Sequence, residues 1–181
     1  MRTVFYFLLL LPLSLACTLA GVVKKAAESQ GPFTLTSSDS KTQLTLPGGW
    51  REEKQLNDIA VLQAAHSFEE MYIVVVRANK QDYADDITLK DFVELTRTDV
   101  IANLQEPQST DPVATKVADY PAMEYRLDGI VDKIKIRYIY TVVERSNYYY
   151  QIITWTLPSH FDRNQTTLRQ VTQSFRELKS D

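Results

Sequence analysis

From Met123 to Val142 the chain alternates apolar and polar residues too regularly for any element but strand. Met123, Tyr125 and Leu127 alternate with Glu124, Arg126 and Asp128, and Ile134, Ile136, Tyr138, Tyr140 and Val142 alternate with Lys133, Lys135 and Arg137. Asp128-Gly129 lies between the two runs and favours the positive φ of a tight hairpin, which places the turn there. After Ser146-Asn147, Tyr148 to Leu157 (YYYQIITWTL) reads as a further strand. Long consecutive strands with short connections make an antiparallel meander, and hence an α+β domain rather than βαβ units.

Upstream, Phe33 and Leu35 alternate with threonines, and Leu44 and Leu46 with Gln43 and Thr45, across the turn-rich Ser37-Ser38-Asp39-Ser40. These two runs are expected to form a hairpin. Pro47-Gly48-Gly49 ends it, and Trp50 folds back as a core plug. Ile59–Ala65 and Met71–Ala78 form the next pair, joined at His66–Glu70. The second is apolar at almost every position, as in a strand covered on both faces. Two amphipathic helices supply the covers. The first spans Thr88 to Leu104, with Leu89, Phe92, Val93, Val100, Ile101 and Leu104 at helical steps and Thr88–Asp91 as a capping box. The second spans about His160 to Leu178, with Phe161, Leu168, Val171, Phe175 and Leu178 on one face and a start signal at Ser159–Asp162. Val113–Val117 leads as a strand into Tyr120-Pro121. The whole is an antiparallel sheet of about six to eight strands under two main helices.

The chain opens on Arg2, an apolar run from Val4 to Ala16, and Cys17, which is its one cysteine. That pattern is an export signal over residues 1–16. Ser14-Leu15-Ala16-Cys17 fits a lipobox in part, since Leu13 stands one place early, and it makes Cys17 the expected lipid-attachment residue. Two alternatives stay open. Either ordinary signal peptidase cuts after Ala20, or the apolar stretch, running on to Val23 before Lys24-Lys25, spans a bilayer uncut. A lone cysteine at the signal boundary has no disulfide to form in an oxidising compartment. Residues 17–32 are small, polar and unpatterned, as in a tether, and residues 33–181 form the domain.

Composition excludes some functions. A hydrophobic fraction of 44% and a charged fraction of 24% suit a globular core. The formal charge of −3 becomes more negative once Arg2 is removed with the leader, which argues against nucleic acid as a partner. His66 and His160 make no metal pair, and no HExxH, GxSxG, P-loop or GxGxxG occurs. No catalytic set, metal site or cofactor is therefore expected. Asp82, Asp85 and Asp86 match no calcium loop, and they suit a solvated loop before a helix.

Tyr125, Tyr138, Tyr140, Tyr148, Tyr149 and Tyr150 fall on three successive strands, with Trp155 on the last. They serve either as core packing or as a partner-binding surface. Tyr148 and Tyr150 point opposite to Tyr149 and Trp155, so both sets are buried only if both sheet faces are covered. Lys133, Lys135 and Arg137 form a basic stripe, suited to an acidic partner or anionic headgroups or else simply solvated.

Leu44-Thr45-Leu46-Pro47-Gly48-Gly49-Trp50, Tyr120-Pro121-Ala122 and Ser174-Phe175, in an order of strand pairs, helix, meander and terminal helix, resemble the Mog1/PsbP-like fold. Within it they resemble the DcrB-type bacterial lipoproteins and cyanobacterial PsbP-related proteins. The resemblance covers Phe33 to Leu178. It implies a non-catalytic domain that binds or helps assemble other proteins, as PsbP does at the oxygen-evolving side of photosystem II, Mog1 with a small GTPase and DcrB-like proteins in the envelope. The metal-binding histidines of PsbP have no match in His66 or His160. The expected function is a membrane-tethered, non-enzymatic envelope lipoprotein, held through Cys17 and meeting another envelope or membrane protein. The alternatives are an accessory of a photosynthetic membrane complex and a hydrolase using carboxylates such as Asp82 or Glu124.

Overall fold

The computed structural model describes residues 31–178; the leader, Cys17 and Lys24-Lys25 lie outside them. The elements are β1 (Phe33–Thr36), β2 (Thr42–Leu46), β3 (Arg51–Glu52), β4 (Ala60–His66), β5 (Met71–Asn79), α1 (Leu89–Ala102), β6 (Gln105–Ser109), β7 (Val113–Val117), β8 (Tyr120–Val131), β9 (Ile134–Glu144), β10 (Tyr148–Thr156), α2 (Phe161–Gln173) and β11 (Arg176–Glu177). The main sheet runs β3-β4-β5-β10-β9-β8-β6, with β7 also on β8, and a small sheet runs β1-β2-β11. Every pairing is antiparallel. No described helix is long and apolar enough to cross a membrane.

Both faces of the main sheet are covered, which is why the central strands carry apolar residues at both parities. On one face Ile73, Val75, Ile139, Val143, Tyr150 and Ile152 pack under α2 and the small sheet, with Trp50 inserted at 1% exposure. On the other, Val74, Tyr125, Leu127, Tyr138, Tyr140, Tyr149 and Ile153 pack under α1 through Phe92 and Val93. Helix α1 starts as expected: Thr88 Oγ1 accepts from Asp91 N–H at 3.2 Å and the Asp91 carboxylate accepts from Thr88 N–H at 3.1 Å.

Three expectations are corrected. The hairpin turn is at Asp132-Lys133, with φ 49° and 69°, and not at Asp128-Gly129. β8 continues through Gly129, because that position has to be small: a Cβ there would lie 2.1 Å from Leu104 Cδ2. Helix α2 stops at Gln173 and not at Leu178. Ser174 Oγ accepts from Thr45 N–H at 2.9 Å, and Arg176-Glu177 then add to the open edge of β2. Ser159 does not cap α2. A 3₁₀ turn over Pro158–His160 leads into the helix, whose N-cap makes no side-chain hydrogen bond.

Candidate binding face

Strand register lines up the residues on the α1 side in rows. One row is Ala65, Tyr72, Trp155, Tyr138 and Leu127, and the next is Gln63, Val74, Ile153, Tyr140 and Tyr125. Their rings form a ladder. Tyr72 stacks on Trp155 at 5.2 Å, Trp155 is 6.0 Å from Tyr138, Tyr138 is 5.8 Å from Tyr140, and Tyr140 stacks on Tyr125 at 5.0 Å.

Helix α1 covers only one side of this ladder. Phe92 stacks on Tyr149 at 4.3 Å, the Arg97 guanidinium lies 6.0 Å from the Tyr125 ring, and Leu104, just past the helix, fills the space at Gly129. Over β4 the cover is the segment around Leu56: Gln63 Oε1 accepts from Leu56 N–H at 2.9 Å and Asn57 N–H at 3.0 Å. Tyr72 and Trp155, on β5 and β10, fall between the two covers and stay half-buried. The α1-side core is accordingly less sealed than the other. Its eleven buried side chains are ringed by twelve partly buried ones, against four around nineteen on the α2 side.

Burial raises the hydroxyls of Tyr125, Tyr138 and Tyr140 above the ordinary tyrosine range, so they stay protonated at neutral pH. Tyr72 is raised as well, by burial and then by the nearby Glu70 and Glu53. Tyr125 Oη is buried and has no hydrogen-bond partner.

The tyrosine-rich strands contribute mainly to packing. Tyr138, Tyr140, Tyr149 and Tyr150 are buried and pack the core, so they present no ready surface to a partner; Tyr148 is half-buried. Tyr149 donates to Ile87 O at 2.9 Å, and Tyr150 donates to Glu177 Oε1 at 2.9 Å, a carboxylate that Arg145 also holds at 2.7 Å. Arg77 lies 5.0 Å over the Tyr148 ring. Lys133 sits in the turn and Lys135 is exposed, while Arg137 turns inward, donating to Asp128 at 2.7 Å and lying 5.1 Å from the Phe161 ring. The open pair Tyr72–Trp155 was only half legible in the sequence. Trp155 stands out there, but Tyr72 is hidden in the apolar run MYIVVV.

Other candidates are accounted for locally. His66 packs edge-on against Trp50, with its Nδ1 accepting from Glu69 N–H at 3.2 Å, and His160 Nδ1 lies 2.9 Å from Glu70. Glu124 pairs with Arg169 of α2 at 3.0 Å, while Asp82 lies in the connection to α1. Among the described residues no group of three or more His, Cys, Asp or Glu is placed to hold a metal ion.

Neither a family model nor a curated protein sequence matches the chain. Solved structures do. The cyanobacterial PsbP of Synechocystis aligns at TM-score 0.59 with 15% identity, over 90% of this chain and 99% of that one. LpqN of Mycobacterium tuberculosis, involved in cell envelope biogenesis, aligns at 0.60 with 12% identity, over 82% and 91%. A Pseudomonas aeruginosa protein of unknown function aligns at 0.55 with 11% identity, over 83% and 100%. At these identities the likeness concerns the backbone, and its agreement with the two-face-covered antiparallel sheet establishes that the chain has the Mog1/PsbP-like fold.

Proposed function

We propose that this protein is an exported, membrane-tethered and non-enzymatic binding domain that serves another envelope protein as an accessory or assembly factor. Its binding face is the half-open aromatic strip beside α1. The observation that carries the reading is the stacked Tyr72–Trp155 pair, left half-buried between two covers. Aromatic side chains with polar tips anchor protein interfaces at low entropic cost. The leader ending at Cys17 supplies the tether, and the envelope role in the name of LpqN agrees with that placement.

The test is photo-crosslinking in cells. A benzoylphenylalanine in place of Tyr72 is expected to give one discrete adduct with an envelope protein, and the same residue in place of Arg126, exposed on the α2 side, none. Equal labelling from both positions, or none from Tyr72, refutes the face. Intact mass of the same material is expected to show diacylglycerol on Cys17, and a start at Gly21 refutes the lipid anchor.

A further inference from the structure

One end of the main sheet exposes an aromatic side chain in a turn that is otherwise polar. The β4–β5 turn there carries Phe68, 67% exposed and the most exposed large hydrophobic side chain among the described residues. Strand pairing brings the β8–β9 tip to the same end. Trp155 pairs with both Tyr72 and Tyr138, and Thr156 with Arg137, so the β4–β5 turn and the start of β9 both project past the end of β10. The tip reads Val131-Asp132-Lys133-Ile134-Lys135-Ile136, with Val131, Ile134 and Ile136 half-buried and both lysines exposed. Among the carboxylates at this end, Glu69 lies 3.5 Å from Arg163 and Glu70 2.9 Å from His160 Nδ1, Asp162 is exposed at the start of α2, and Asp132 stands beside the two lysines of the tip.

The chain enters the fold at this same end. Phe33 pairs with Leu46, three residues before Gly49. Gly49 packs on His66, where a Cβ would lie 2.4 Å from Nε2, and His66 is the residue from which the β4–β5 turn begins. The other end of the β1–β2 hairpin points away: Asp39 in its turn pairs with Arg77, toward the far end of β5, at 2.6 Å. An anchor at Cys17 therefore joins the domain at the Phe68 end and not at the Arg77 end.

We infer that this end rests on the lipid surface itself, with Phe68 entering the boundary between headgroups and acyl chains and Lys133 and Lys135 reaching lipid phosphates. The inference rests on the tethering proposed above. It adds a contact that fixes how the domain stands on the membrane to which the lipid already holds it. Aromatic rings favour that interface, and lysines flanking an apolar tip keep their ammonium groups in water while their stems cover apolar surface. It also orients the binding strip along the side of the domain, where a neighbouring membrane protein can reach it.

The experiment uses the full chain in vesicles of phosphatidylethanolamine and phosphatidylglycerol with brominated acyl chains. Tryptophan is introduced as Phe68→Trp or, as a control, at the exposed β7 position as Val113→Trp, and the emission of Trp50 and Trp155 is subtracted. Bromolipid is expected to quench the tryptophan at position 68 and to leave the one at 113 bright. If the protein floats with the vesicles but the two positions quench alike, the lipid contact is wrong and the tether stands. If the protein does not float, both fall. If position 68 is shielded only in native membranes and not in these vesicles, a protein covers this end, which also overturns the lipid contact.

Discussion

Replacing Gly129 by alanine tests the packing that moved the hairpin turn. Gly129 is buried in β8, two residues before the strand ends, and a Cβ there would lie 2.1 Å from Leu104 Cδ2, 2.3 Å from Cγ and 3.0 Å from Cδ1. Leu104 is 8% exposed and sits in the α1-side core, so its isobutyl group has to leave its seat to admit one methyl. Overpacking of this kind costs about 1–3 kcal/mol. Leu104→Ala alone leaves a cavity and costs about 2–4 kcal/mol. The two effects are not independent, because truncating Leu104 vacates the volume that the new methyl enters. The double variant is therefore expected to be more stable than the sum of the singles predicts by about 1–2 kcal/mol, measured by urea unfolding of all four proteins. Were Gly129 the positive-φ residue of a turn, Gly129→Ala would cost backbone strain wherever Leu104 stood. Additivity to within about 0.5 kcal/mol would refute the packing argument.

The caps give a paired prediction by the same measurement. Thr88→Ala removes a reciprocal capping box and is expected to cost about 1 kcal/mol, whereas Ser159→Ala removes no cap and is expected to stay within about 0.5 kcal/mol of the parent. A large Ser159 effect would show that α2 starts earlier than described. Asp39 gives a pH prediction. Burial works against its charge, but hydrogen bonds from Ser37, Arg77 and the Lys41 backbone, with the Arg77 charge, hold its carboxyl at about 2 against an ordinary 3.8. Its folded value is the lower one, so its contribution is complete above about pH 4 and is lost as pH falls toward 2. With 34% of the side chain exposed, that contribution is on the order of 1 kcal/mol after solvent screening. Stability measured from pH 2 to 5 should fall less steeply in Asp39→Asn than in the parent, and parallel profiles would exclude the Asp39–Arg77 contact as a stabilising one.

Local rules read well where the competing interactions are local. The Thr88–Asp91 box needs two side chains three residues apart and forms as written. Opposed parity of Tyr149–Trp155 and Tyr148–Tyr150 implied cover on both faces, and α1 and α2 with the small sheet provide it. The rules failed where a distant group decided. Asp128-Gly129 carries the stronger turn preference, yet the turn goes to Asp132-Lys133 because Leu104, far back in the chain, needs the missing Cβ at 129. Helical spacing ran on to Leu178, but the unpaired edge of β2 captured Arg176-Glu177.

By itself, the sequence determined the elements and the faces they bury: the alternation of β8 and β9, the two amphipathic helices, the Trp50 plug and an α+β sheet. These follow from burial and backbone geometry within a few residues of each position. Tertiary structure alone decided which aromatic rings are spent on packing and which remain half-open. Alternation tells which side of a strand a ring points to, whereas exposure depends on where a cover built from other parts of the chain happens to end. Tyr138 and Tyr140 lie under α1, while Tyr72 and Trp155 lie just beyond it, and no property of those four residues distinguishes the two cases.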